Sequence, residues 1–129
     1  MALPYDIDTK RRVVTITVPS ASRVGDASGL LEAVIADARY EPGFAFLIDR
    51  RAVRTPPHPD DVRATLDVVR RQGAALSGAR WAIVVSDDVA AASGTLALSD
   101  ALTALGAGFE VRAFLVLADA LRWLGLGEP

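Results

Sequence analysis

The sequence contains no cysteine, a single histidine and a single lysine, Lys10. Without cysteine the chain forms no disulfide bond, thiolate metal site or iron–sulfur cluster, and it has no cysteine nucleophile. The formal net charge is −2, so no overall basic field would attract nucleic acid or an anionic membrane. We therefore expect neither nucleic-acid binding nor thiol chemistry.

Long hydrophobic runs are also absent. Aspartate, arginine or glycine interrupts each apolar run before it reaches the length of a membrane span, so we expect no stable membrane insertion. The first six residues lack the basic region and the following apolar region of a secretory signal. A cytoplasmic protein is the expectation, with residues 1–129 forming one domain that is long enough to bury a core.

Two short apolar segments that end at aspartate indicate the fold class. The first runs from Phe44 to Asp49 and the second from Trp81 to Asp88. Nearly unbroken apolar runs of this length are typical of strands that are buried on both faces, as in parallel sheets covered by helices. The sequence therefore predicts an α/β protein.

The remaining pattern predicts the order β-β-α-β-α-β-α-β-α, a mixed and mostly parallel sheet with an opening antiparallel hairpin and helices packed on it. Gly94 lies inside the third predicted helix, where glycine lowers helix stability by about 1 kcal/mol relative to alanine. Its presence there indicates close packing or a kinked start of the helix. The predicted strands are Tyr5–Asp8, Val13–Val18, Phe44–Ile48, Trp81–Val85 and Phe109–Leu117. The predicted helices run from Asp26 or Ser28 to Arg39, from Asp60 to Gly78, from Val89 to Leu105 and from Ala118 to Leu124. The inward stripe of the second helix is predicted to be Val62, Leu66, Val69, Gly73 and Leu76.

Four pieces of the sequence, in this order, resemble a known family. They are Tyr5 in the first strand, Leu47–Arg51 at the end of the central strand, Ala79–Val84 in the next strand, and Ala120–Leu124 near the C-terminus. Together they are similar to the small bacterial STAS-like proteins, often called SpoIIAA-like, which are related to anti-sigma-factor antagonists and to cytoplasmic domains of sulfate transporters. The resemblance implies a mixed sheet with helices packed against it. Most stand-alone members of that family have no assigned activity.

The chain departs from this family at the regulatory turn. Phosphoregulated members carry an Asp-Ser-Ser-Gly type turn after the central strand, and its serine accepts the phosphate. The corresponding stretch here, from Thr55 to Asp61, has three prolines and neither a serine nor a glycine. Thr55 precedes the prolines and matches the serine poorly, so the sequence predicts no phosphoacceptor.

Three aspartates follow the predicted parallel strands: Asp49, Asp87 and Asp88. Ligands in open α/β sheets bind beyond the carboxyl ends of the strands, and carboxylate oxygens suit Mg²⁺. The alternative is that Asp87 or Asp88 caps the following helix. A phosphoacceptor receiver site would also need a lysine after a later strand, which the chain lacks, so we assign no metal.

Three arginines, Arg50, Arg51 and Arg54, cluster just after the central strand. Together with the start of the next helix they could bind a phosphate or a carboxylate, or they could form a solvated loop in which Arg50 or Arg51 pairs with Asp49. His58 lies between prolines at the start of that helix, where we expect it to precede the cap rather than to act in catalysis.

These observations favour a non-enzymatic STAS-like interaction or regulatory module that acts through a protein partner or as a homodimer. The opening hairpin edge and the C-terminal helix are the expected contact faces. The alternative is a small apolar or anionic, lipid-like ligand between helices and sheet, beside the small residues of Ala90–Ala104. No cofactor and no catalytic residue is predicted. The candidate ligand-binding residues are Asp49, Arg50, Arg51, Arg54, His58 and Asp88.

Overall fold

The computed structural model describes residues 4–20, 25–106 and 108–127. This part of the chain forms five strands and five helices. Their order confirms the predicted α/β pattern, except that the second predicted helix is divided in two. The elements are β1 Tyr5–Asp8, β2 Val13–Thr17, α1 Asp26–Ala36, β3 Ala45–Asp49, α2 Pro59–Arg71, α3 Gly73–Leu76, β4 Arg80–Val84, α4 Val89–Ala104, β5 Glu110–Phe114 and α5 Leu117–Trp123.

The five strands form one sheet whose spatial order follows the chain, β1-β2-β3-β4-β5. β1 and β2 are antiparallel, with Tyr5 opposite Ile16. All other neighbours are parallel, with Ile48 of β3 opposite Ile83 of β4. The opening hairpin and the mixed, mostly parallel sheet are therefore confirmed.

The helices cover the two faces of the sheet unequally. The connections from β2 to β5 all step in one direction across the sheet, and right-handed crossovers then place α1 to α4 on the same face. The larger core lies there and includes Val34 of α1, Val69 of α2, Leu76 of α3 and Leu102 of α4. Of the helices in the described residues, only α5 covers the opposite face, where Ala120 packs in a smaller cluster.

A row of aromatic side chains fills the amino-terminal end of the layer between the sheet and α1–α4. The ring of Tyr40 lies 5.7 Å from that of Phe44 and 5.9 Å from that of Phe46. Trp81 lies between Phe46 and Phe109, at 4.9 Å from each ring. This end of the layer is closed by aromatic rings in edge-on and tilted contact.

The helix that was predicted from Asp60 to Gly78 breaks at Gln72. The backbone there has φ −111° and ψ 20°, and its N–H still bonds to the carbonyl of Val68 at 2.8 Å. The inward face is also rotated from the prediction, since Thr65 and Val68 are buried while Val62 and Leu66 are only partly buried. The spacing of four and three residues therefore predicted the buried face of the helix approximately, but not which residues lie at its centre.

Two other boundaries differ from the sequence prediction. α1 ends at Ala36 rather than at Arg39, and it begins after Gly25, whose φ of 94° turns the chain without a side-chain cap. β5 ends at Phe114 rather than at Leu117, because Leu117 already begins α5. None of the described helices is long and apolar enough to cross a membrane.

Candidate functional site

A cavity of about 570 Å³ opens at the carboxyl-terminal end of the parallel strands. It lies where β2 and β3 end, between the start of α1 and the start of α2. Open α/β sheets commonly bind ligands at this edge. Its lining residues are Val18, Ser20, Ala27, Arg50, Val53, Thr55, Pro56, Pro57, His58, Pro59, Asp61, Val62, Thr65 and Leu98.

A narrower apolar chamber of about 80 Å³ continues from this cavity into the layer between helices and sheet. Five residues line both spaces, so the two are contiguous; they are Val18, Ala27, Arg50, Thr65 and Leu98. The chamber ends against Phe46 and Trp81, the first rings of the aromatic row. A ligand that enters here meets a mouth of mixed polarity first and an almost wholly apolar interior next.

Arg50 lies where the mouth and the chamber meet. Phe46 and Ile48 of β3 face α1–α4, and Arg50 continues this alternation with its N–H bonded to the carbonyl of Val84 at 2.9 Å. Burial lowers the pKa of Arg50, with a partial offset from the charge of Asp61. The side chain stays a cation at neutral pH, because arginine does not lose its proton in proteins.

The guanidinium of Arg50 makes one side-chain hydrogen bond and no ion pair within 4.0 Å among the described residues. Its Nε donates to Oγ1 of Thr95 at 3.3 Å, and Thr95 in turn donates to the carbonyl of Ala91 at 3.0 Å. A desolvated cation that lacks a close counterion is unfavourable. An anionic ligand group would supply the missing partner.

Asp61 is the acidic group that lines the mouth. Its Oδ1 accepts the N–H of Gly25 at 2.5 Å, which links the start of α2 to the start of α1. The carboxylate is thus oriented by the backbone of α1, while its charge reaches Arg50 across the mouth. Replacing it by asparagine would remove the negative charge and keep an acceptor for Gly25.

The prolines after β3 form one wall of the cavity by packing directly against α4. A Cβ atom at Gly94 would lie 2.6 Å from Cβ of Pro56 and 2.7 Å from Cδ of Pro57. Any side chain at Gly94 would therefore displace the proline segment. Of the two roles expected for this glycine, close packing is the one that the structure supports.

Three of the predicted ligand residues are engaged outside the cavity. Arg51 makes a two-point ion pair with Asp49, at 3.0 and 2.8 Å, and this contact lowers the pKa of Asp49. Arg54 pairs with Asp87. Asp49 and Asp87, two of the three carboxylates considered for Mg²⁺, are thus each paired with a different arginine. No group of three acidic or histidine side chains in residues 4–20, 25–106 and 108–127 is arranged to hold a metal ion.

The other two predicted residues are helix caps. Asp88 caps α4 by accepting the N–H of Ala91 at 3.0 Å, as one of the two alternatives expected. His58 was expected to precede the cap of α2, but it is itself that cap, since its Nδ1 accepts the N–H of Asp60 at 3.0 Å. His58 also lines the cavity, so the structure brings only Arg50 and His58 of the six predicted residues to this site.

Sequence reasoning missed the polar residues that the helices contribute. Thr65 of α2 and Thr95 and Ser99 of α4 are buried. Thr95 and Ser99 share one stripe with Ala91 and Leu102 on the inner side of α4. Hydroxyl groups on the buried stripe of an otherwise alanine-rich helix are the signal that could have identified them.

Comparison of the sequence with protein-family models finds no match, and comparison with curated proteins finds no relative. The resemblance to STAS-like proteins stays a prediction.

Proposed function

We propose that this protein is a non-enzymatic binding module for a small anionic amphipath, with the anionic group on Arg50 and the apolar part in the chamber. The observation that carries the proposal is a half-buried guanidinium with no carboxylate within 4.0 Å among the described residues, placed between a mouth of mixed polarity and an apolar interior. This is the lipid-like alternative of the sequence prediction, with one arginine selected from the three.

The order of polarity along the cavity supports this ligand class. Ligand sites are mostly apolar and carry a few polar groups that fix orientation. Here Thr95 holds the guanidinium at 3.3 Å, and the interior beyond it is lined by residues such as Ile48, Ile83 and Leu102. A carboxylate with a short alkyl chain has matching polarity, since hydrogen bonds to charged groups contribute about 1.5–3 kcal/mol each.

Binding of octanoate tests the proposal, with octanol as the neutral probe of the same chain length. Calorimetric titration is expected to show octanoate binding to the wild-type protein and at least about tenfold weaker binding to Arg50→Met, because a charged hydrogen bond is lost. Arg51→Gln is the matched control, since its guanidinium is already paired with Asp49. Equal loss of affinity in both variants would contradict a specific role for Arg50.

Asp61→Asn gives the sign of the ligand charge. The substitution removes the carboxylate whose charge acts on Arg50, and it retains an acceptor for the N–H of Gly25. Affinity for octanoate is expected to rise several-fold, because a like charge at the mouth is removed. Unchanged or lower affinity would contradict an anionic group bound beside Arg50 and Asp61.

A role as a STAS-like regulatory module that acts through a protein partner or a second copy is the second proposal. It is favoured by exposed apolar side chains that follow the carboxyl ends of β4 and β5, where Val89 is 79% and Leu115 is 77% exposed. Exposed apolar patches commonly mark interaction surfaces. Sedimentation equilibrium of the wild type and of Leu115→Ser tests self-association, which is expected to weaken in the variant; a wild-type protein that stays monomeric would remove the dimer.

A further inference from the structure

Three arginines meet in a second cavity at the opposite end of the sheet from Arg50. This shallow space of about 320 Å³ lies at the amino ends of β2, β3 and β4. Arg11 and Arg12 reach it from the β1–β2 hairpin, and Arg80 reaches it from the start of β4. Segments nearly 70 residues apart in sequence thus bring positive charge to one place. The cluster is therefore not simply a local run of basic residues.

Each guanidinium is held in position by a main-chain carbonyl. Arg11 donates to the carbonyl of Leu126 at 3.0 Å, Arg12 to that of Pro42 at 3.4 Å and Arg80 to that of Trp123 at 2.8 Å. Arg80 also lies over the Trp123 ring, at 5.2 Å from its centre, and Arg12 over the Phe44 ring, at 4.6 Å. Two of the three cations are therefore oriented before any ligand arrives.

Most of the hydrogen-bonding capacity of these groups is unused. A guanidinium has five N–H donors, and each of the three makes one hydrogen bond to the described part of the protein. The acidic neighbours are Glu41, 3.7 Å from Arg12, and Glu110, 3.6 Å from Arg80, both beyond hydrogen-bonding distance. Asp8 accepts the backbone N–H of Arg11 at 3.0 Å, but the guanidinium of Arg11 makes no ion pair within 4.0 Å in the part of the chain that the structure describes.

The backbone of Arg12 provides an independent observation. Its φ is 56°, and among the described residues no other non-glycine residue has a positive φ. Glycine adopts this conformation readily, whereas a side chain such as that of arginine does so at a cost in stability. This backbone conformation therefore costs stability at a position where the guanidinium reaches the cavity.

We propose that the cavity lined by Arg11, Arg12 and Arg80 binds a phosphate-type oxyanion, either inorganic phosphate or a phosphate monoester. The planar donor pairs of guanidinium groups match the oxygens of a phosphate in two-point contacts. This site is separate from the Arg50 cavity and does not depend on the function proposed there.

Titration with inorganic phosphate, followed through the arginine Nε–Hε signals in nitrogen-15 spectra, tests the site. Saturable shifts are expected for Arg11, Arg12 and Arg80, with at least tenfold weaker binding in Arg80→Gln. Arg71→Gln is the control for loss of one positive charge, because Arg71 pairs with Asp67 on α2. Absence of saturable shifts, or the same weakening in Arg71→Gln, would overturn the proposal.

Arg12→Gly separates binding from folding. Relief of the positive φ is expected to offset part of the stability that is lost with the contacts of Arg12 to Pro42 and Phe44, while loss of the guanidinium lowers phosphate affinity at least tenfold. Unchanged phosphate affinity in a variant that still melts cooperatively would contradict the role of Arg12 in the site. Glycerol 3-phosphate that competes with inorganic phosphate would identify a free ester as the source, and retention of the protein on vesicles containing phosphatidic acid would identify a lipid headgroup.

Discussion

The two ends of the layer between the sheet and α1–α4 are built in opposite ways. At the amino-terminal end, Phe46 and Trp81 belong to a row of aromatic rings that leaves the layer closed. At the carboxyl-terminal end, the same layer contains a chamber, a wider mouth and the cation of Arg50. One sheet therefore combines a closely packed end, which stabilises the fold, with an open end, which is less tightly packed and contains the proposed site.

The first test of this contrast is a pair of truncations, one at each end. Phe44→Ala is expected to lower the free energy of unfolding by about 3–5 kcal/mol, because the side chain is fully buried in the aromatic row and lies outside the chamber lining. Leu98→Ala, in the wall of the cavity, is expected to cost less than about 2 kcal/mol, since part of its surroundings is already empty. Urea unfolding measures both. Equal losses would show that the two ends are packed alike.

The second test fills the closest contact in the wall of the open end. Gly94→Ala is expected to destabilise the protein by about 1–3 kcal/mol, because the added methyl group overlaps Pro56 and Pro57. It should also weaken octanoate binding, since the proline segment forms the mouth. Gly29→Ala in α1 is the matched control; its Cβ meets no atom within 4 Å, and the alanine is expected to stabilise the helix by up to about 1 kcal/mol. Destabilisation in both variants would remove the special role of Gly94.

The third test concerns Tyr40 at the closed end, whose hydroxyl donates to the carbonyl of Ala75 at 2.7 Å. Tyr40→Phe is expected to cost about 1 kcal/mol at neutral pH, the usual contribution of one buried hydrogen bond. Burial raises the pKa of Tyr40 to about 12, so the folded protein keeps this proton at pH values where the unfolded chain, with a pKa near 10, releases it.

Stability that depends on Tyr40 is therefore complete below about pH 10 and is lost as the pH rises towards 12. Unfolding of the wild type, followed by circular dichroism from pH 9 to 12, is expected to show this decline, and Tyr40→Phe should make it shallower. Parallel curves for the two proteins would mean that Tyr40 is solvated in the folded state.

The same contrast explains which features could be predicted from the sequence. The apolar runs around Phe46 and Ile83 identified the buried strands, because burial on both faces leaves a local pattern. The choice of Arg50 over Arg51 depends on the face to which each side chain turns after β3 ends. Continuing the alternation of Phe46 and Ile48 by one more step would have selected Arg50.

Other parts of the site leave no local signal. The break at Gln72 and the approach of Gly94 to Pro56 depend on how helices settle against a sheet that is built from distant segments. Asp61 lies in the first turn of α2, and its bond to the N–H of Gly25 links two helices and shapes the mouth. Such long-range contacts follow from tertiary packing, which a single sequence does not display.

The most direct measurement of the central claim is a methyl-labelled spectrum recorded during titration with octanoate. Saturable shifts are expected for the signals of methyl groups that line the chamber, such as those of Ile48, Ile83 and Leu98. The methyl signals of Val111 and Ile35, which lie outside the chamber lining, are expected not to shift. In Arg50→Met the chamber signals are expected to show no such shifts. Shifts spread evenly over both sets, or unchanged in Arg50→Met, would contradict the claim that Arg50 and the open end of the layer form one binding site.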